Sequence, residues 1–193
     1  MTHYYDAEQQ SDEDPEDNLV SLSTDTFFVT TDNGVFAKDG LDQATELLIE
    51  SVTPKGRFLD LGCGYGVISV AWLRRHPGID AVLVDTNKRA VRLARDNLSR
   101  YDLDGDVRVS DGYDAVDETF ADIVCNPPFA AGKNVWQGFI DEAPTYLAGD
   151  GRLSMVARHN KGGRMLMEHM EHVFDNVATV AKSGGYRVYQ STV

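Results

Sequence analysis

Three stretches of this sequence combine residue types and spacings that can do chemistry. The first is Leu59-Asp60-Leu61-Gly62-Cys63-Gly64-Tyr65-Gly66, an apolar run entering a glycine-spaced turn. Glycines at that spacing let backbone approach a ligand closely at the end of a strand. The pattern is G-x-G-x-G rather than G-x-G-x-x-G, and an acid stands just before the turn. A carboxylate there repels a pyrophosphate and attracts the ammonium of an amino-acid-bearing ligand, which argues against NAD. A plain strand-to-helix turn is the competing reading.

The second stretch supplies carboxylates at the ends of later strands. Asp85 lies 19 residues past Gly66, where an acid can hydrogen-bond ribose hydroxyls in a nucleotide-binding α/β unit. Its alternative role is to cap the helix that follows. Asp111 is placed to receive an adenine amino group, or is simply a turn aspartate beside Gly112.

The third is Asn126-Pro127-Pro128-Phe129. Two prolines fix the backbone and leave the Pro127 carbonyl without competing local donors. With the side-chain carbonyl of Asn126 this makes two acceptors for a planar NH₂ group, and Phe129 offers a face for a ring.

The elements that must position these groups follow from periodicity. Apolar residues at Leu41, Ala44, Leu48 and Val52 have helical spacing, which Thr53-Pro54-Lys55-Gly56 ends. From residue 57 the chain alternates. Strands are expected at 57–61, 79–84, 106–109, 121–125 and 152–157, and helices at 67–75, 87–100, 135–147 and 164–174. Two last strands, 177–181 and 186–190, are joined by Lys182-Ser183-Gly184-Gly185. This order predicts an α/β, doubly wound, Rossmann-like sheet of seven strands, mostly parallel and closed by a C-terminal antiparallel hairpin. A strand-like patch at Phe27-Phe28-Val29 and a turn at Asp32-Asn33-Gly34 precede it.

A length of 193 residues fits one domain. No apolar run approaches the ~20 residues of a membrane span, and the acidic start does not look like a signal peptide, so a cytoplasmic location is expected. The two cysteines, Cys63 and Cys125, exclude a disulfide scaffold and fit a reducing compartment as free thiols. Acids outnumber Lys and Arg 31 to 18, giving a net charge of −13. Seven of those acids fall within residues 1–18, which contain no Lys or Arg. We expect residues 1–18 to be an acidic flexible segment, with His3, Tyr4 and Tyr5 docking back or fraying, and residues 19–193 to be the folded domain. Asp exceeds Glu 22 to 9 and Arg exceeds Lys 12 to 6, a surface suited to a halophilic cytoplasm where salt screens self-repulsion.

Taken together, Leu59–Gly66, Asp85, Asp111 and Asn126–Phe129 resemble a class I S-adenosylmethionine-dependent methyltransferase with an NPPF loop for amino-group methylation. Gly34-Val35-Phe36-Ala37-Lys38-Asp39-Gly40-Leu41-Asp42 and Gly184-Gly185-Tyr186-Arg187-Val188-Tyr189 extend the similarity. Those segments resemble the small-subunit (16S) ribosomal RNA guanine-N2 methyltransferases and their single-domain archaeal relatives, over about residues 19–193. The resemblance implies S-adenosylmethionine as cofactor, with Asp60, Gly62, Cys63, Gly64 and Gly66 around its methionine portion, Asp85 on the ribose and Asp111 on the adenine. It implies that Asn126 and Pro127 grip the target amine beside the cofactor, with Phe129 against the base, and that ribosomal RNA or the small subunit is the partner. Two departures stand out. Longer bacterial members carry an additional N-terminal domain, and many have His after NPPF where this chain has Ala130. The rival readings are a protein glutamine N-methyltransferase, a class that usually has Tyr where Phe129 stands, and a non-catalytic cofactor-binding assembly partner.

Other features carry less. Lys88, Arg89, Arg92, Arg95 and Arg100 read as the solvated face of a helix opposite Val91, Ala94 and Leu98. Arg158, Lys161 and Arg164 are better placed to meet RNA. His169 and His172 lack a third ligand, so no metal is expected.

Overall fold

The computed structural model describes residues 7–9 and 11–193; the expectation for His3, Tyr4 and Tyr5 lies outside them. Glu16–Ser21 (β1) and Thr26–Thr31 (β2) form an antiparallel hairpin. Gln43–Ser51 (α1) begins where the Asp42 carboxylate accepts from the Ala44 and Thr45 backbone N–H groups, satisfying donors that a helix start leaves free. There follow Phe58–Leu61 (β3), Val67–Arg75 (α2), Ala81–Asp85 (β4), Lys88–Ser99 (α3), Asp106–Val109 (β5), Phe120–Cys125 (β6), Lys133–Tyr146 (α4), Leu147–Arg158 (β7), Arg164–Phe174 (α5), Ala178–Ser183 (β8) and Tyr186–Thr192 (β9).

The seven main strands lie in the order β5-β4-β3-β6-β7-β9-β8. Neighbours from β5 through β7 are parallel, while β9 is antiparallel to both β7 and β8. The expected doubly wound sheet with its C-terminal hairpin is therefore present. One face packs on α1, α2, α3 and the β1–β2 hairpin through Phe58, Leu83, Val124, Val188, Leu48, Trp72 and Val91. The other packs on α4 and α5 through Leu59, Val82, Ile123, Leu153, Ile140 and Leu166. Strand alternation sends successive side chains to opposite faces, so both cores are apolar. Among the described residues, no helix is long and apolar enough to cross a membrane.

Around the N-terminus the structure adds contacts between distant stretches: Glu16, Asp17 and Asn18, expected in the lead-in, belong to β1, and Ser11, Glu13 and Asp14 are hydrogen-bonded to the body. Of the α3 cations, Lys88, Arg92, Arg95 and Arg100 are exposed, as a solvated face requires, and three of them meet acids of the N-terminal stretch. Glu8 pairs with Lys88, Glu13 with Arg92 and Asp17 with Arg100. Arg89 is buried, 3.7 Å from the buried Asp32, and donates to the Ser11 and Asn33 carbonyls. These pairings join residues distant in sequence, and opposite charge brings them together. Strand β7 also starts five residues before the expected 152, because Gly149-Asp150-Gly151 lies within the strand, with a shift in its register against β6, rather than in a turn.

Candidate active site

The strand order reverses beside β3, and in open α/β sheets ligands bind outside the carboxyl ends of strands at that point. Here the carboxyl ends of β3, β4, β5 and β6 deliver Gly62, Asp85, Asp111 and Asn126 to one cavity. Of the ten residues singled out from sequence, Gly62, Cys63, Gly64, Asp85, Asp111, Asn126 and Pro127 line it. Asp60, Gly66 and Phe129 do not.

Gly66 starts α2 at φ +84°, and a Cβ there would lie 3.1 Å from the Ala94 Cβ. Its absence lets α2 and α3 close up behind the loop. Gly64 also has positive φ, with open space where a side chain would project. Its N–H donates to Asp85 Oδ2 at 2.9 Å, while Asp85 Oδ1 accepts from Asn87 N at 2.8 Å. Asp85 therefore ties β4 to the glycine loop, and the cap of α3 is Asn87 instead. Burial pushes the Asp85 carboxyl above the usual range, against its two backbone hydrogen bonds.

Asp60 sits behind the loop, 1% exposed. Its Oδ2 accepts from the Ser69 hydroxyl at 2.7 Å, and its Oδ1 is a buried atom without a partner. Burial, helped by the nearby Asp85 charge and opposed by Ser69, pushes its pKa up to about 7. An orphaned, destabilised carboxylate is what a cationic ligand satisfies. The same burial and the same two acids raise the Cys63 thiol well above its ordinary range, which disqualifies it as a nucleophile. Cys125 is likewise a buried free thiol.

At the other end of the cavity stands the NPPF loop. Asn126 Nδ2 donates to Thr45 Oγ1 at 2.9 Å, and the Thr45 hydroxyl donates to the capping carboxylate of Asp42. A hydroxyl has one proton, so Thr45 can only accept from the amide, and Oδ1 of Asn126 becomes the free end. Asp42 and Thr45 both line the cavity. They were not singled out as site residues, because only the fold brings α1 beside β6, 81 residues away in sequence. Val35, Phe36, Ser110 and Phe139 also line the cavity and were not singled out as site residues.

One expectation about this loop is corrected. The Pro127 carbonyl does have a local donor, Phe129 N at 2.9 Å. Pro128 at φ −76°, ψ 79° makes an inverse γ-turn, although the carbonyl's second lone pair is still available. Phe129 is not among the residues lining the cavity. Its ring centroid is 6.0 Å from that of Trp136, and a Cβ on Gly162 would lie 3.0 Å from its edge. Among the described residues no group of acids, histidines and cysteines could hold a metal ion, and His169 instead bonds Asp141 and Gln137.

Fold and site together define a class I S-adenosylmethionine-dependent methyltransferase. The chain belongs to the methyltransferase small domain family, whose model matches residues 26–190. It is 31% identical over 195 residues to the Bacillus subtilis protein YbxB, covering 98% of this chain and 97% of that one. It is 34% identical over 196 residues to ribosomal RNA small subunit methyltransferase C of Escherichia coli K12, covering 95% of this chain but 54% of the relative. A solved structure of the T. thermophilus 16S rRNA N2 G1207 methyltransferase, in complex with AdoMet and guanosine, superposes with a TM-score of 0.81 at 23% identity, over 92% of this chain and 50% of that one. The chain thus spans about half the length of its ribosomal RNA methyltransferase relatives.

Proposed function

We propose that the enzyme methylates the exocyclic N2 amine of a guanine in small-subunit ribosomal RNA. The observation that carries this reading is the pair of acceptors at the end of the cavity. Asn126 Oδ1 is held free by Thr45, and the Pro127 carbonyl stands next to it. The names of the ribosomal RNA methyltransferase relatives supply the substrate class.

The chemistry asks little of acid–base groups. S-adenosylmethionine supplies an activated methyl on a sulfonium. With the cofactor bound, Asp85 would meet its ribose and Asp111 its adenine, while Asp60, buried behind the glycine loop, would act on the ammonium through its charge, and together they would fix the direction of transfer. The amine of guanine is a poor nucleophile, because its lone pair is delocalised into the ring. Acceptors at Asn126 and Pro127 draw its two hydrogens out of that plane and stabilise the positive charge that builds on nitrogen. A guanine in a duplex must first be flipped out, at a cost of about a few kcal/mol. Such a substrate places the enzyme in the cytoplasm.

The test is methyl transfer from labelled S-adenosylmethionine, in molar KCl, into a lysate of cells lacking this protein. Label recovered from ribosomal RNA as N2-methylguanosine supports the reading. Label in a protein band, as methylglutamine, refutes it in favour of a protein substrate. Asn126→Ala should abolish turnover and leave cofactor affinity nearly unchanged; unaltered turnover refutes the role given to Asn126.

A further inference from the structure

The carboxyl end of β7 collects positive charge in an otherwise acidic molecule. Of the 18 lysines and arginines, eleven lie within 4.0 Å of a carboxylate among the described residues. Seven do not: Lys55, Arg95, Lys133, Arg158, Lys161, Lys182 and Arg187. Arg95 donates to the Val107 carbonyl. Lys55 precedes β3, at the amino edge of the sheet. The other five lie at the end of the sheet where the NPPF loop stands, Lys133 beside the loop and the rest around β7, β9 and β8. Lys133 opens α4, two residues after the turn Phe129–Ala131. Lys182 stands opposite Arg187 across β8 and β9, and Arg158 opposite Tyr186 across β7 and β9.

The turn His159–Gly163 ties these strands to the loop. His159 N donates to the Gly185 carbonyl, and its ring lies 2.8 Å from the Tyr189 hydroxyl. Three residues on, Gly162 abuts the Phe129 ring. The His159 ring is held below the usual imidazole range by desolvation first and then by the charges of Arg187, Arg164 and Lys182. The carboxylate paired within the patch is Glu168, on Arg164. Lys161, Lys182 and Arg158 are exposed.

We infer that this face, with Lys161, Lys182 and Arg187 as its charges, grips the sugar-phosphate backbone of the RNA whose guanine enters the cavity. The inference rests on the RNA reading above and adds where the polyanion lies. A net charge of −13 repels RNA over most of the surface, so one positive face beside the acceptor pair both attracts the strand and sets its direction. Tyr186, with the Arg158 guanidinium 5.8 Å from its ring centroid, adds an aromatic surface at the margin.

The experiment measures binding of a fluorescein-labelled, guanine-containing 20-nucleotide single-stranded RNA by anisotropy across a KCl series. The chains compared are the wild type, the double variant Lys161→Gln with Lys182→Gln, and Lys55→Gln. The double variant should bind about 10-fold more weakly at low salt, and its slope of log K against log salt should flatten by roughly 0.7 for each cation removed. Its affinity for S-adenosylmethionine should be unchanged, which also shows that it is folded. Lys55→Gln should match the wild type. Equal affinity and slope for the double variant, or an equal loss for Lys55→Gln, overturns the inference. Failure of the wild type to bind RNA at all removes the RNA reading beneath it. Equally tight, patch-dependent capture of poly-glutamate would show a face for acidic protein and overturn the assignment to RNA.

Discussion

Thr45 Oγ1 accepts a hydrogen bond from Asn126 Nδ2 at 2.9 Å while giving its own proton to Asp42. The hydroxyl thereby decides which end of the Asn126 amide is left free at the cavity.

Thr45→Val keeps the shape of the side chain and removes the acceptor, so the Asn126 amide can turn its NH₂ toward the substrate amine. Turnover should fall on the order of 10²-fold, with little change in cofactor affinity. Thr45→Ser should restore most of the rate. Steady-state kinetics with a calorimetric cofactor titration check this, and a serine variant as slow as the valine one counts against it.

Asp60 makes the cofactor-free protein sensitive to pH. With a folded pKa of about 7 against about 4 in the unfolded chain, the folded state holds a proton between those values that the unfolded state has released. The stability from this group is complete below about pH 4 and declines as pH rises through 7. Asp60→Asn should flatten that slope, leaving the contribution of Asp85, which burial shifts the same way. Urea titrations at pH 5, 6, 7 and 8 decide it. Binding of the cationic cofactor should strengthen over the same interval as the carboxylate ionises.

Arg89 anchors the N-terminal segment from inside. It lies 3.7 Å from the buried Asp32 and donates to the Ser11 and Asn33 carbonyls. Arg89→Met leaves Asp32 buried without its charge partner and should cost about 3–5 kcal/mol. Limited proteolysis should then cut within residues 7–14 first. A loss below about 1 kcal/mol would mean that water replaces the guanidinium.

High salt should stabilise the chain. The exposed pairs of Glu8 with Lys88 and Glu13 with Arg92 weaken in salt, but each contributes only ~0–1 kcal/mol. Repulsion among a net charge of −13 is screened at the same time, with a Debye length near ~3 Å at 1 M. The melting temperature should therefore rise with KCl into the molar range. A maximum near zero salt contradicts a halophilic origin.

The sequence by itself determined the parts of the fold that local periodicity encodes. Val67–Arg75, Asp106–Val109 and Arg164–Phe174 fall where apolar spacing puts them, and the alternation of strands and helices requires the doubly wound sheet. It also determined the residues at the carboxyl ends of the strands, because Gly62, Asp85, Asp111 and Asn126 each stand where a strand stops. Tertiary structure alone decided what faces what. It set Thr45 against Asn126 and the Phe129 ring beside Trp136 and Gly162. It also laid the acidic segment on α3. These are contacts between residues far apart in the chain or choices of side-chain direction, and neither leaves a periodic mark. Strand β1 escaped the reading for the same reason: Glu16–Ser21 buries only Val20 fully, and its pairing with β2 supplies the rest of its order.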